Sequence, residues 1–261
     1  MSEHISVRLI ANAGLFIQAK ERRFLIDALH HDPDQPFSWA SEHTMKKIIH
    51  GSEDYQDVDY IMFTHCHSDH FSPGLTRDYL ENNRVETLLL PEKCTAMNKE
   101  LESFMADNEI HQVRLHGGVG ELITYKISGD IRIRAFRSMH LGEAYKEEPH
   151  YCFVICLDGY NILITGDADY DFSTFQSALD GLEIQVMIIN PLFYNHKSGR
   201  QIISGLIRPK EVIIYHIPFE EDDIYGFRRL TKRDMEKHQS ESVKVSSLTE
   251  ENQTIHLNGG H

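Results

Sequence analysis

Between Thr64 and His70 the chain reads Thr-His-Cys-His-Ser-Asp-His, which packs three imidazoles and one carboxylate into the six residues from His65 to His70. Nitrogen and oxygen donors at that density suit transition metals. Zn²⁺ accepts His and Asp, and Mn²⁺ and Fe²⁺ accept the same set. His65 and His67, two apart, can face one way from an extended backbone. Asp69 and His70 are adjacent and diverge, so two ions sharing the loop fit better than one ion taking all four groups. The alternative is a histidine-rich surface loop, since the chain has 17 histidines in 261 residues. A solvated loop, however, requires neither this spacing nor an apolar run in front of it.

Such a cluster needs a rigid base. Val58 to Phe63 (Val-Asp-Tyr-Ile-Met-Phe) is short, β-branched and aromatic, and it predicts a strand that ends at the cluster. Four further apolar runs end in a metal-binding residue type. Phe24-Leu-Ile leads into Asp27, with Leu15 to Ala19 as its hairpin partner across Lys20-Glu21-Arg22. Ile131 to Phe136 alternates with period two and leads through Arg137-Ser-Met to His140. Asn161-Ile-Leu-Ile-Thr-Gly runs into Asp167, and Val212-Ile-Ile-Tyr runs into His216. Singly, an Asp at a strand end reads as a turn or a cap, and a lone His as a structural residue. Together these strand ends deliver donors from one edge of a sheet, which is how a scaffold builds a rigid site.

In this order, Asp27, His65-x-His67-x-Asp69-His70, His140, Asp167 and His216, the chain resembles the metallo-β-lactamase superfamily of dinuclear metallohydrolases. Within it, the Leu-Ile-Thr-Gly-Asp167 turn and the closing Tyr-His216-Ile-Pro218 are similar to the branch of ascorbate-6-phosphate lactonases and relatives of tRNase Z. The resemblance implies an α/β (α+β) fold: a four-layer αββα sandwich of two mixed sheets with helices on the outer faces. It implies two divalent ions, Zn²⁺ being the best match to the donors, with Mn²⁺ or Fe²⁺ open. His65, His67 and His140 would hold one ion, Asp69, His70 and His216 the other, and Asp167 would bridge them. Asp27 would orient ligating imidazoles from behind. A hydroxide bridging the cations would be the nucleophile, since metal binding lowers the pKa of water from 15.7 to about 7 in a well-known zinc case. Asp69 and Asp167 are the catalytic carboxylates on this reading, with Asp69 orienting the water or passing a proton to the leaving group. No Gly-x-Ser-x-Gly elbow and no P-loop offers a competing chemistry.

Length and composition agree. With 261 residues and 41% apolar content the chain can bury a sizeable core, and no Pro/Gly/Ser-rich linker or repeat divides it, so one hydrolase domain over residues 1–261 is expected. The Met1-Ser-Glu-His-Ile start has no basic segment followed by an apolar stretch, and no apolar run is long enough for a membrane span. A soluble, cytoplasmic protein without membrane contact is expected. Four scattered cysteines, Cys66, Cys94, Cys152 and Cys156, agree with a reducing compartment, with Cys66 a spacer in the loop and Cys152 and Cys156 core residues. Forty acidic against 26 basic residues give a net charge of −14, which repels nucleic acid unless cations gather on one face. Arg228, Arg229, Lys232 and Arg233 are the only such gathering, and they read as a solvated helix face.

Around the site, His30 and His31 open a proline-bearing loop that carries Phe37 and the only tryptophan, Trp39. That loop, with His31, Trp39, His150 and His196, is the candidate substrate pocket. Thr95 to Met105 and Asp222 to His238 read as amphipathic covering helices, and Gln253 to Leu257 as a final short strand. The function expected is a small-molecule hydrolase acting on an ester, lactone or phosphoester. The alternatives are a nucleic-acid phosphodiesterase of the tRNase Z type, a non-catalytic metal-binding regulator, and a redox di-iron protein. Homo-oligomerisation is left open.

Overall fold

The hairpin at Leu15–Ala19 (β2) and Arg22–Ile26 (β3) forms where alternating apolar residues flank a two-residue turn, with Lys20 in the left-handed region at φ 56°. Arg22 is the first residue of β3 rather than part of the turn. In the computed structural model, which describes residues 4–129, 131–239 and 243–258, this hairpin lies in the first of two compact units. That unit comprises residues 1–115 and 250–261; the second comprises residues 116–249.

The first unit is built on a seven-stranded mixed sheet. Its remaining strands are β1 (His4–Leu9), β4 (Tyr60–Met62), β5 (Thr87–Pro91), β6 (Gln112–Leu115) and β14 (Thr254–Asn258), in the order β14-β1-β2-β3-β4-β5-β6. The β14 to β3 half is antiparallel and β3 to β6 is parallel. Strands β4 and β5 are buried at every residue, as the continuous apolar run of a parallel strand requires. Helices α1 (Glu42–Ile49), α2 (Pro73–Asn82), α3 (Glu92–Ala96) and α4 (Lys99–Asp107) supply Ile48, Tyr79, Leu80, Leu101 and Met105 to a core shared with Ile61, Leu88 and Leu90. The Tyr79 hydroxyl donates to the Tyr55 carbonyl at 2.8 Å and accepts from the Val58 amide at 3.0 Å, which fixes the entry to β4.

The second unit repeats the plan. Its strands are β7 (Ile123–Ser128), β8 (Ile131–Ser138), β9 (His150–Leu157), β10 (Tyr160–Ile164), β11 (Val186–Ile189), β12 (Glu211–Ile214) and β13 (Lys244–Ser247), in the order β13-β12-β11-β10-β9-β8-β7. Strands β7 to β10 are antiparallel and β10 to β13 parallel. Its helices are α5 (Phe172–Ala178), α6 (Pro191–Asn195), α7 (Lys197–Gln201) and α8 (Phe227–Lys237). Phe136, Phe175 and Phe193 meet edge to face in its core, at centroid distances of 5.5 and 5.4 Å. The fold class is therefore α/β with two mixed seven-stranded sheets. Among the described residues no helix is long and apolar enough to cross a membrane.

Three expectations change. The helix read over Thr95 to Met105 is two helices, because the Asn98 side chain accepts from the Leu101 amide at 3.0 Å and starts a new helix there. The helix read from Asp222 begins at Phe227, where the Asp223 carboxylate takes the amides of Phe227 and Arg228 at 2.7 and 3.0 Å. Cys66 is not a mere spacer. It forms a disulfide with Cys94, with Cα atoms 5.3 Å apart, because the parallel pairing of β4 with β5 brings together the segments that follow those strands. Cys152 and Cys156 are free and buried as expected, and burial pushes the Cys152 thiol well above its usual value.

Candidate metal centre

In the first unit the donors stand on the loop after β4, and Asp27, at the end of β3, holds that loop from below. Asp27 adopts φ 47°, a conformation in which Asp is enriched among non-glycine residues. Its amide donates to the Met62 carbonyl at 3.0 Å. Its fully buried carboxylate accepts from the Thr64 amide at 2.8 Å and the Thr64 hydroxyl at 2.6 Å, and lies 3.0 Å from His70 Nδ1.

Counting protons assigns the imidazoles. Thr64 gives its only hydroxyl proton to Asp27, so at 3.0 Å from His65 Nδ1 it must accept. His65 therefore carries its proton on Nδ1 and its lone pair on Nε2. His70 donates from Nδ1 to Asp27, which leaves its lone pair on Nε2 as well. His65 Nε2 and His67 Nδ1 converge to 3.1 Å, and His70 Nε2 lies 3.7 Å from Asp69 Oδ2. The His65 and His70 rings are 4.0 Å apart. One buried loop thus presents two donor pairs. Asp69 and His70, expected to diverge as neighbours in sequence, instead turn toward each other and form one of the two pairs.

In the second unit three strand ends contribute. His140, just beyond β8, is 5% exposed and lies 2.7 Å from the Leu141 carbonyl through Nδ1. A carbonyl only accepts, so the lone pair is on Nε2. His216 follows β12 at φ 59° and is 7% exposed. Asp167, beyond β10, reaches both: its Oδ1 is 3.3 Å from His216 Nε2 and its Oδ2 is 3.7 Å from His140 Nε2. One carboxylate oxygen thus faces each imidazole. The backbone is pinned too, since the Leu141 amide donates to the Asp167 carbonyl at 2.7 Å and Asn190 Nδ2 to the Gly166 carbonyl at 3.0 Å.

The expected pocket residues divide. His31 and Trp39 pack edge to face at 4.7 Å and line one cavity of about 490 Å³ within the first unit, with Met45, Ile49 and Leu75 on its wall. Ser72, two residues beyond His70, lines it as well, and its amide donates to the Leu29 carbonyl at 2.8 Å. His150 does not belong to a pocket wall. It is fully buried, sits 2.7 Å from Ser138 Oγ through Nδ1, and accepts the Asp167 amide on Nε2 at 2.9 Å. It is a support beneath Asp167. His196 is exposed, stacks on Tyr170 at 3.9 Å, and accepts the Ser198 amide at 3.2 Å, so it caps α7 instead. Sequence reasoning missed Thr64, Ser138 and the Leu141 carbonyl. A hydroxyl immediately before the first histidine was the one available signal. Asp169, two residues past Asp167, is partly buried, and burial raises its carboxyl above the ordinary carboxylate range.

The donor set fits divalent transition ions: His65, His70 and His140 carry the lone pair on Nε2, each backed by a hydrogen bond at Nδ1, and carboxylates lie within a few ångströms. No protein-family model matches the chain, and no curated protein matches it. Solved structures do. The metallo hydrolase Igni18 from Ignicoccus hospitalis is similar with a TM-score of 0.63 at 14% identity, over 98% of this chain and 99% of that one. The short form of human tRNase Z is similar with a TM-score of 0.55 at 13% identity, over 93% and 91%. CmlA, a diiron β-hydroxylase from Streptomyces venezuelae, is similar with a TM-score of 0.63 at 14% identity, over 98% of this chain and 54% of that one. The chain therefore shares the fold of these enzymes.

Proposed function

We propose that this chain is a metal-dependent hydrolase of the metallo-β-lactamase type that binds two divalent ions, Zn²⁺ foremost. His65, His67 and His140 would hold one ion and Asp69, His70 and His216 the other, with Asp167 a ligand shared by both. In this reading residues 1–261 act as one hydrolase domain. The observation that carries it is the loop from His65 to His70, where proton counting leaves lone pairs on His65 Nε2 and His70 Nε2 and the donors already stand in two pairs.

Two bound ions supply a water acidic enough to ionise near neutral pH and an electrophile for a carbonyl or phosphoryl oxygen. The chain's own residues do the rest. Asp27 fixes the tautomer of His70, Thr64 that of His65, and His150 holds the Asp167 backbone so that its carboxylate faces both His140 and His216. Asp69 would take the proton of the attacking water on a carboxylate oxygen and return it to the leaving group. The cavity beside Ser72, with His31 and Trp39, suits a substrate with an apolar body, which supports a small ester, lactone or phosphoester. The net charge of −14 weighs against a nucleic-acid substrate. A cytoplasmic location stays part of the reading, and the Cys66–Cys94 disulfide is the feature against it, since reducing compartments disfavour disulfides.

Metal analysis of the purified protein should find close to two transition-metal ions per chain. A panel of esters, lactones, phosphodiesters and phosphorylated sugars with Zn²⁺ or Mn²⁺ should reveal turnover that Asp167→Ala abolishes. Folded, metal-free protein that resists reloading would sink the proposal. Activity confined to short RNA would move it to a phosphodiesterase, and oxygen consumption by the iron-loaded protein would move it to redox chemistry.

A further inference from the structure

The basic run of α8 divides in the second unit. Arg233 turns to Asp234, 3.4 Å away. Arg228, Arg229 and Lys232 instead line a cavity of about 770 Å³ walled by α8 and β13, where Lys244 joins them. Glu236 is the only acidic residue among the described lining residues. Lys244 is shared with Glu211 at 2.8 Å, and Arg228 donates to the Thr249 carbonyl at 2.9 Å. Arg229 and Lys232 have no carboxylate partner among the described residues, although the chain carries 40 acidic side chains. Lys232 stands three and four residues beyond Arg229 and Arg228, the spacings at which like charges on a helix repel.

A second observation points the same way. Thr231 lines the cavity and is 4% exposed, and its hydroxyl has no hydrogen-bond partner among the described residues. A helical threonine ordinarily returns that proton to the carbonyl four residues earlier. Met235 and Val245 add an apolar wall.

We infer that this cavity binds a small organic phosphate, with a di- or triphosphate group on Arg228, Arg229 and Lys232 and an apolar body against Met235 and Val245. The arginine fork matches phosphate oxygens in pairs. Several clustered cations call for more negative charge than one carboxylate brings. The volume lies within the roughly 300–1,000 Å³ of small-molecule sites. Long polyanions are disfavoured by the charge of the whole chain.

Calorimetric titration of the full-length protein with ADP tests the assignment. Saturable one-to-one binding is expected, weakened at least tenfold in the double variant Arg229→Glu/Lys232→Glu and unchanged in His67→Ala. Both reversed positions are exposed, and circular dichroism checks the fold. Should the pair fail to fold, Lys232→Glu alone should weaken binding at least threefold. Absence of saturable binding, indifference to the charge reversals, or loss of binding in His67→Ala would each overturn the proposal. Displacement of ADP by short single-stranded RNA at lower concentration would overturn it in favour of a nucleic-acid face.

Discussion

Thr64 has one hydroxyl proton, and Asp27 takes it. From that single donation follow the acceptor role of Thr64 Oγ1, the Nδ1 proton of His65 and the lone pair on His65 Nε2. Asp27 sets His70 the same way, so one buried carboxylate prepares two histidines as ligands. Replacing Asp27 by Asn keeps size and tolerates the left-handed backbone, but the amide cannot satisfy Thr64 and His70 together. Asp27→Asn should lower metal affinity about 10- to 100-fold with the far-ultraviolet spectrum intact. Competition against a chromogenic chelator measures it, and wild-type affinity in the variant would remove Asp27 from this role. At this scale the residue types were legible because metal donors come from a short list. The supports were not: His150 looked like any other histidine until Ser138 and the Asp167 amide closed on it.

Strand ends set the geometry, and caps set where helices begin. Asp171 caps α5, its carboxylate accepting from the Thr174 amide at 2.8 Å, the Thr174 hydroxyl at 2.7 Å and the Ser173 hydroxyl at 2.6 Å. Those bonds, the Ser173 hydroxyl first, hold its carboxyl below the usual carboxylate range. A folded-state pKa below the unfolded one contributes stability that is present above the unfolded value and lost as pH falls through the folded value. Asp171→Ala should therefore cost about 1 kcal/mol at neutral pH, and the gap to wild type should close in acid. Urea melts at pH 7 and below pH 3 check both halves, and a gap independent of pH would show that the charge plays no part. Elements were the most legible level. Leu15–Ala19 matches its predicted bounds, while β4 is shorter than its apolar run because pairing with β3 and β5 covers only Tyr60 to Met62.

Ions held by residues far apart in sequence would stabilise only the folded chain. At a hundredfold excess over Kd each site contributes about 2.7 kcal/mol, so stripping both should lower Tm by roughly 10 °C or more in a chain of this length. A calorimetric scan with and without EDTA should show that fall, and His67→Ala a smaller one. An unchanged Tm after verified metal removal would mean that the donors hold no ion that matters to folding. By itself the sequence determined the donor types, their order and their standing at strand ends, because apolar periodicity and ligand chemistry are local properties. Only the tertiary structure decided what lies across space: the Asp27–Thr64–His70 network, the Cys66–Cys94 bond, the retirement of His150 and His196 from the pocket, and the cationic cavity beside β13. Each depends on which strands become neighbours, and that choice is made by burial of whole sheet faces rather than by any motif a residue belongs to.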